Sequence, residues 1–236
     1  MKRFWDKATV TEGEGGYAVL LDGKPMRIPG GTPLLLPGRA LAEAIAAEWQ
    51  QAGGEKGGTL TMEAVPLTRL AGTAQDRIRP NPAPVAEALA KYAETDLLCY
   101  RAPHPEPLVI RQAKTWQPWL DWLARTHGAR LEPAEGIMFH EQDPAAVARV
   151  HDVIARYRPD VLAALGIAIP SLGSAVLGVA LADGAIDATT AHQAATLDEC
   201  FEVEQWGDDP EAKARRDQAA ADIALAERFI RLCSAG

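Results

Sequence analysis

Along Arg3 to Thr11 and Tyr17 to Leu21 the apolar and polar residues fall in strand-like runs, joined by the turn-rich E-G-E-G-G. Asp22-Gly23 then sets a tight hairpin into a third run, Lys24 to Ile28, so the spacing predicts a three-strand meander. Pro29-Gly30-Gly31 interrupts it, and Leu34 to Leu36 adds a further short strand. From Arg39 to Ala52 the period changes to that of a helix, with Leu41, Ile45 and Trp49 on the stripe facing the sheet and Gly53-Gly54 as its stop. A second helix runs from Pro66 to Arg79 on Leu67, Leu70, Ala71, Ala74 and Ile78.

Pro80-Asn81-Pro82-Ala83-Pro84 is the strongest punctuation in the chain, and the boundary between two domains, residues 1–80 and 81–236, is placed there. Beyond it the pattern is almost all helical: Val85 to Thr95, a short extended L-L-C-Y, Leu108 to His127, Asp143 to Tyr157, Pro159 to Leu165, Ser171 to Ala182, Ala188 to Trp206 and Pro210 to Leu232. The expected fold class is α+β: a small N-terminal antiparallel sheet with packed helices, then a mainly helical domain. Trp116, Trp119 and Trp122 spiral across one helix around Pro118, which predicts a helix wedged in the core.

The stretch Thr196 to Gly207, T-L-D-E-C-F-E-V-E-Q-W-G, breaks the usual amphipathic rule. At about 100° per residue, Leu197, Cys200 and Phe201 share a side with Glu204, while His192, Thr196, Val203 and Trp206 share the other with Glu199. Both sides read as buried. Such a helix either runs through a core with paired glutamates, Glu199 meeting an arginine such as Arg111, Arg215 or Arg228, or presents its carboxylates to a partner.

Charge and composition narrow the partners. With 236 residues, 47% apolar and 24% charged, the chain is long enough to bury a sizeable core. A net charge of −8 disfavours nucleic acid and anionic membrane, and leaves attraction of a positively charged partner open. Cys99, Cys200 and Cys233 form no C-x-x-C pair, which predicts free thiols in the cytoplasm rather than a disulfide scaffold or a zinc site. The N-terminus carries no legible signal or transit peptide. The most apolar stretch, Ile167 to Ala182, is interrupted by Pro170, Gly173 and Gly178, so a buried helix is expected instead of a membrane span.

No nucleotide-binding, nucleophile-elbow or zinc-protease motif is present. His140-Glu141 lacks the second histidine one turn on, and the loop spacing of Glu135, Glu141 and Asp143 fixes no distance between carboxylates. The enzyme alternative places Asp96, Cys99 and His104 in an interdomain cleft, although a thiol in an apolar run is more often core than nucleophile. No catalytic residue, metal, cofactor or small-molecule substrate is expected.

Seven segments in order carry a family pattern: R-F-W; V-L-L-D-G-K-P with M-R-I-P; A-x-E-W at Ala46 to Trp49; P-L-T-R-L-A-G-T-A-Q-D at Pro66 to Asp76; Y-A-E-T-D-L-L-C-Y at Tyr92 to Tyr100; the Gln112, Trp116, Pro118, Trp122 series; and E-x-E-Q-W-G. Together they resemble the F1 ATP synthase assembly chaperones that act on the α subunit, in mitochondria and related bacteria. The resemblance implies a non-enzymatic protein that holds the free F1 α subunit and shields its β-facing surface until the hexamer forms. It also implies a sheet-bearing N-terminal part and a helical C-terminal part. Carried over by position, the family's acidic motif points at Glu199, with Glu202, Glu204 and Trp206 close by, as partner-binding residues.

Overall fold

The computed structural model describes residues 1–28 and 31–235. The expected interruption at Pro29-Gly30 lies outside them. The order is β1 (Ala8–Gly13), β2 (Gly16–Leu21), β3 (Lys24–Pro25), α1 (Arg39–Gln51), α2 (Pro66–Thr73), α3 (Ala83–Ala90), β4 (Tyr100–Arg101), α4 (Glu106–His127), β5 (Ala134–Glu135), α5 (Pro144–Ile154), α6 (Pro159–Leu172), α7 (Ala175–Ala182), α8 (Ala188–Ala195), α9 (Leu197–Trp206) and α10 (Pro210–Ser234). The class is α+β: a small antiparallel sheet followed by a mainly helical region. The chain forms two compact units. One comprises Met1–Asn81, Arg158–Ala164 and Arg228–Gly236; the other comprises Pro82–Tyr157 and Leu165–Glu227.

In the first unit β1, β2 and β3 form the meander, with Val10 opposite Val19 and Ala8 opposite Leu21. The first strand begins at Ala8 instead of Arg3. The reason lies in Arg3, whose buried guanidinium donates to the carbonyls of Trp5, Gln50, Ala52 and Gly54. It thereby satisfies carbonyls left open at the end of α1. Leu34 to Leu36 form no strand: Leu36 makes an isolated bridge to Tyr17, and Pro33, just before them, makes one to Arg27.

The family motifs of this unit interlock. Glu48 of A-x-E-W accepts from the backbone N–H of Leu67 and Thr68 and from the Thr68 hydroxyl, so a side chain from α1 caps α2. Trp49 Nε1 donates to Thr68 Oγ1 at 2.9 Å, and Trp5 Nε1 donates to the Trp49 carbonyl at 3.0 Å. Gln75 grips the loop at Pro33 and Leu35. Past Thr73 the expected helix continues only as a π-helical turn, Ala74–Ile78.

The second unit is built around α7, buried from Ala175 to Leu181. Its sequence is apolar on every side, as a helix packed all round requires. Gly178 lets α6 come close: a Cβ there would meet Ile169 Cγ1 at 2.3 Å. The amino end of α7 is closed by Asp96, which accepts from Ser174 Oγ at 2.8 Å and Val176 N–H at 3.0 Å. Its carboxyl end is tied by Asp183, which accepts from Tyr157 Oη at 2.6 Å and meets His127 Nε2 at 2.8 Å. Three departures from the expected pattern occur here. The Pro159 helix runs through Pro170 to Leu172. The Ala188 helix is broken at Thr196, whose hydroxyl bonds back to the His192 carbonyl. L-L-C-Y forms a 3-10 turn followed by β4, which pairs in parallel with β5. Trp116 is fully buried, but Trp119 and Trp122 are half-buried and pack edge to face. Among the described residues no helix is long and apolar enough to cross a membrane.

Candidate partner-binding surface

The acidic stretch folds as α9, and it lies at the surface. Leu197 alone is buried; Asp198, Phe201 and Val203 are half-buried, while Glu199, Cys200, Glu202, Glu204 and Trp206 are exposed. This corrects the reading of a helix buried on both sides. Of its residues only Leu197, in the first turn, reaches the core, where α4 and α8 pack against α9. Asp198 and Glu199 in that turn also face the positive end of the helix dipole.

Cations from two other helices orient the carboxylates. Arg111 of α4 makes a two-pronged ion pair with Glu204, at 2.6 and 3.0 Å, and its guanidinium lies over the Phe201 ring at 5.2 Å. The hydrogen bond to Arg111 holds Glu204 below the usual carboxylate range. This pair explains why Glu204 sits on an apolar stripe: Phe201 and the arginine plane share that side. Glu199 meets Arg216 of α10 at 3.4 Å, and Arg216 also holds Asp208 just past the end of α9. The partner of Glu199 is therefore Arg216, and not Arg111, Arg215 or Arg228. Glu199 nevertheless keeps half of its side chain in solvent.

Deeper in, Asp198 accepts from Gln112 Nε2 at 2.8 Å, and Gln112 Oε1 accepts from the Ala102 N–H at 2.8 Å. Burial pushes the Asp198 carboxyl up, and the Gln112 bond opposes it. Trp116 Nε1 donates to the Ala194 carbonyl at 2.8 Å, with Arg101 over its ring. The Gln112 and Trp116 positions thus anchor the base of the acidic helix. At its tip, Glu202 has no ion pair among the described residues, and the Trp206 side chain is 86% exposed.

The residues of the enzyme alternative sit in the same unit without forming a common hydrogen-bonded set. Asp96 spends its oxygens on Leu98, Ser174 and Val176, and burial pushes its carboxyl up to about 6. Cys99 is buried and its thiol is held protonated, whereas His104 is exposed. No group of three or more His, Cys, Asp or Glu side chains suited to a metal ion occurs among the described residues. Cys99 and Cys233 are buried free thiols and Cys200 is an exposed one. Sequence reasoning missed Arg216 as an orienting residue. Its signal, an arginine one turn after Lys213 on a charged helix, is too common to single out.

The protein is thus of α+β class, with an acidic helix held outward by cations instead of converging on an enclosed cavity. The chain belongs to the ATP12 chaperone protein family, whose model matches residues 2–124. The solved Atp12 of Paracoccus denitrificans is 41% identical, covers 98% of both chains and superposes with a TM-score of 0.92. A solved protein of Agrobacterium tumefaciens is 39% identical over 98% of this chain and 85% of its own, with a TM-score of 0.89. The mitochondrial protein atp12 of Schizosaccharomyces pombe is 21% identical over 217 residues, 87% of this chain and 74% of that one.

Proposed function

We propose that the protein is a cytoplasmic, non-enzymatic assembly chaperone of the F1 ATP synthase that binds the free α subunit and shields its β-facing surface until the hexamer forms. Family membership supports the chaperone role. The observation that carries the partner-binding reading is α9 itself, whose Glu199, Glu202 and Glu204 are all exposed, on different sides of the helix, and which ends in the exposed Trp206. An orphan subunit exposes an apolar patch rimmed by polar groups, and such a patch aggregates unless covered. A holder must also let go. A single aromatic anchor with solvent-accessible charge pairs suits a transient complex better than a wide dry interface. The carboxylates stand in for acidic groups that the β subunit offers to cations on α.

The test is a pull-down with purified F1 α subunit at low and high salt, with the isolated β subunit as control. The expected result is retention of α at low salt, weaker retention at high salt, and none of β. Glu199→Lys places a cation beside Arg216, which keeps Asp208; this variant is expected to melt like the wild type and to lose the α subunit. Equal retention of α by the variant, or its global unfolding, contradicts the assignment of Glu199.

A further inference from the structure

Between β5 and α5 the chain presents Ile137, Met138 and Phe139 to solvent at 93%, 80% and 68% exposure. Three consecutive large apolar residues at such exposure are unusual, because single surface hydrophobes are common but contiguous ones mark contact sites or aggregation hazards. The loop is not a loose excursion. Gln142 clamps its neck, accepting from the Glu132 N–H at 2.8 Å and donating to the Glu132 carbonyl at 2.9 Å. The Gly136 N–H donates to the Arg101 carbonyl at 2.8 Å, and Asp143 caps α5 through the Ala145 N–H. Phe139 lines an open pocket of about 370 Å³ together with Pro144, Val147 and Ala148. The charged residues lining it, Glu94 and Glu141, are both carboxylates. Neither they nor Glu135 and Asp143 has an ion-pair partner among the described residues, in contrast to Glu199 and Glu204.

We infer that the Ile137–Phe139 tip and the adjoining pocket are a second docking surface of the chaperone, taking an apolar segment of the partner protein flanked by lysine or arginine. The inference rests on the proposed function. Charge complementarity selects this occupant: unpaired carboxylates around an apolar tip favour a partner that brings cations beside its own apolar side chains, and disfavour an acidic one. A held neck limits the ordering cost of binding, as pre-organised interfaces do.

The probe is purified F1 α subunit, titrated by calorimetry into the full chain. The Ile137→Ser/Met138→Ser/Phe139→Ser variant and a Glu94→Lys/Glu141→Lys variant are each expected to bind at least tenfold more weakly, with unchanged melting temperatures. A photo-crosslinking residue at position 139, otherwise wild type, is expected to label an α-subunit segment containing apolar and basic side chains. This arm does not depend on the stability of a variant. Unchanged affinity in both variants, or labelling of an acidic segment, overturns the inference while leaving the α9 reading in place. Labelling of a second copy of this chain, with a dimer by sedimentation, overturns it in favour of self-association. Failure of the wild type to bind α at all overturns the proposed function and this inference with it.

Discussion

Asp96 shows how a side chain that looks chemically poised can be wholly structural. It is fully buried, and its two oxygens accept from the Leu98 N–H, the Val176 N–H and the Ser174 hydroxyl. Asp96→Ala strands those three donors, each worth about 1–3 kcal/mol when left unpaired in the interior. A loss of at least about 3 kcal/mol in urea unfolding is expected, and a loss under about 1 kcal/mol contradicts this account. Burial raises the carboxyl from 3.8 to about 6, so between those values the folded chain holds a proton that the unfolded chain has released. This contribution to stability is complete below pH 3.8 and disappears as pH rises through about 6. A carboxyl carbon titration by NMR should place the Asp96 midpoint near 6. At this scale Trp116, Leu41, Ile45 and Trp49 were legible as core from their spacing. The buried roles of Arg3 and Asp96 were not, because hydrogen bonds to distant backbone leave no periodic trace.

Among the elements, α6 and α7 meet where Gly178 faces Ile169. Gly178→Ala forces a methyl against a side-chain carbon near its root, and overpacking of this kind costs about 1–3 kcal/mol. A fall in thermal stability measured by circular dichroism tests it, and a gain contradicts it. For α9, Trp206→Ala is expected to leave the melting temperature unchanged and to weaken binding of the F1 α subunit at least tenfold, the mark of an exposed aromatic anchor. The helices were legible from periodicity, and the errors cluster at their ends: the backbone leaves helical geometry at Thr196, between α8 and α9, and Pro170 is absorbed into α6. The period of α9 placed Glu204 on the side of Phe201, but it read as buried a helix whose glutamates are exposed, because it could not tell a core neighbour from Arg111 and Phe201 arranged at the surface. The β4–β5 pair, two residues long on each side, carries too little sequence to be read.

For the molecule as a whole, the net charge of −8 and the surface carboxylates of α9 predict an association that weakens as salt screens it. The measured affinity for F1 α should fall several-fold between about 0.05 and 0.5 M salt, and a salt-independent affinity speaks against charge pairing. The α+β plan was legible from proline punctuation and the change of period. The grouping of Arg158–Ala164 and Arg228–Gly236 with the N-terminal unit was not, because tertiary contact between distant segments has no local signature. If the acidic helix serves another protein's surface, its charge must govern capture of that protein, and this is read by calorimetric titration of purified F1 α subunit into wild type and into a Glu199→Lys/Glu202→Lys variant. Saturable binding by the wild type, with loss of binding by an equally stable variant, is the predicted result; identical affinity of the two proteins contradicts it.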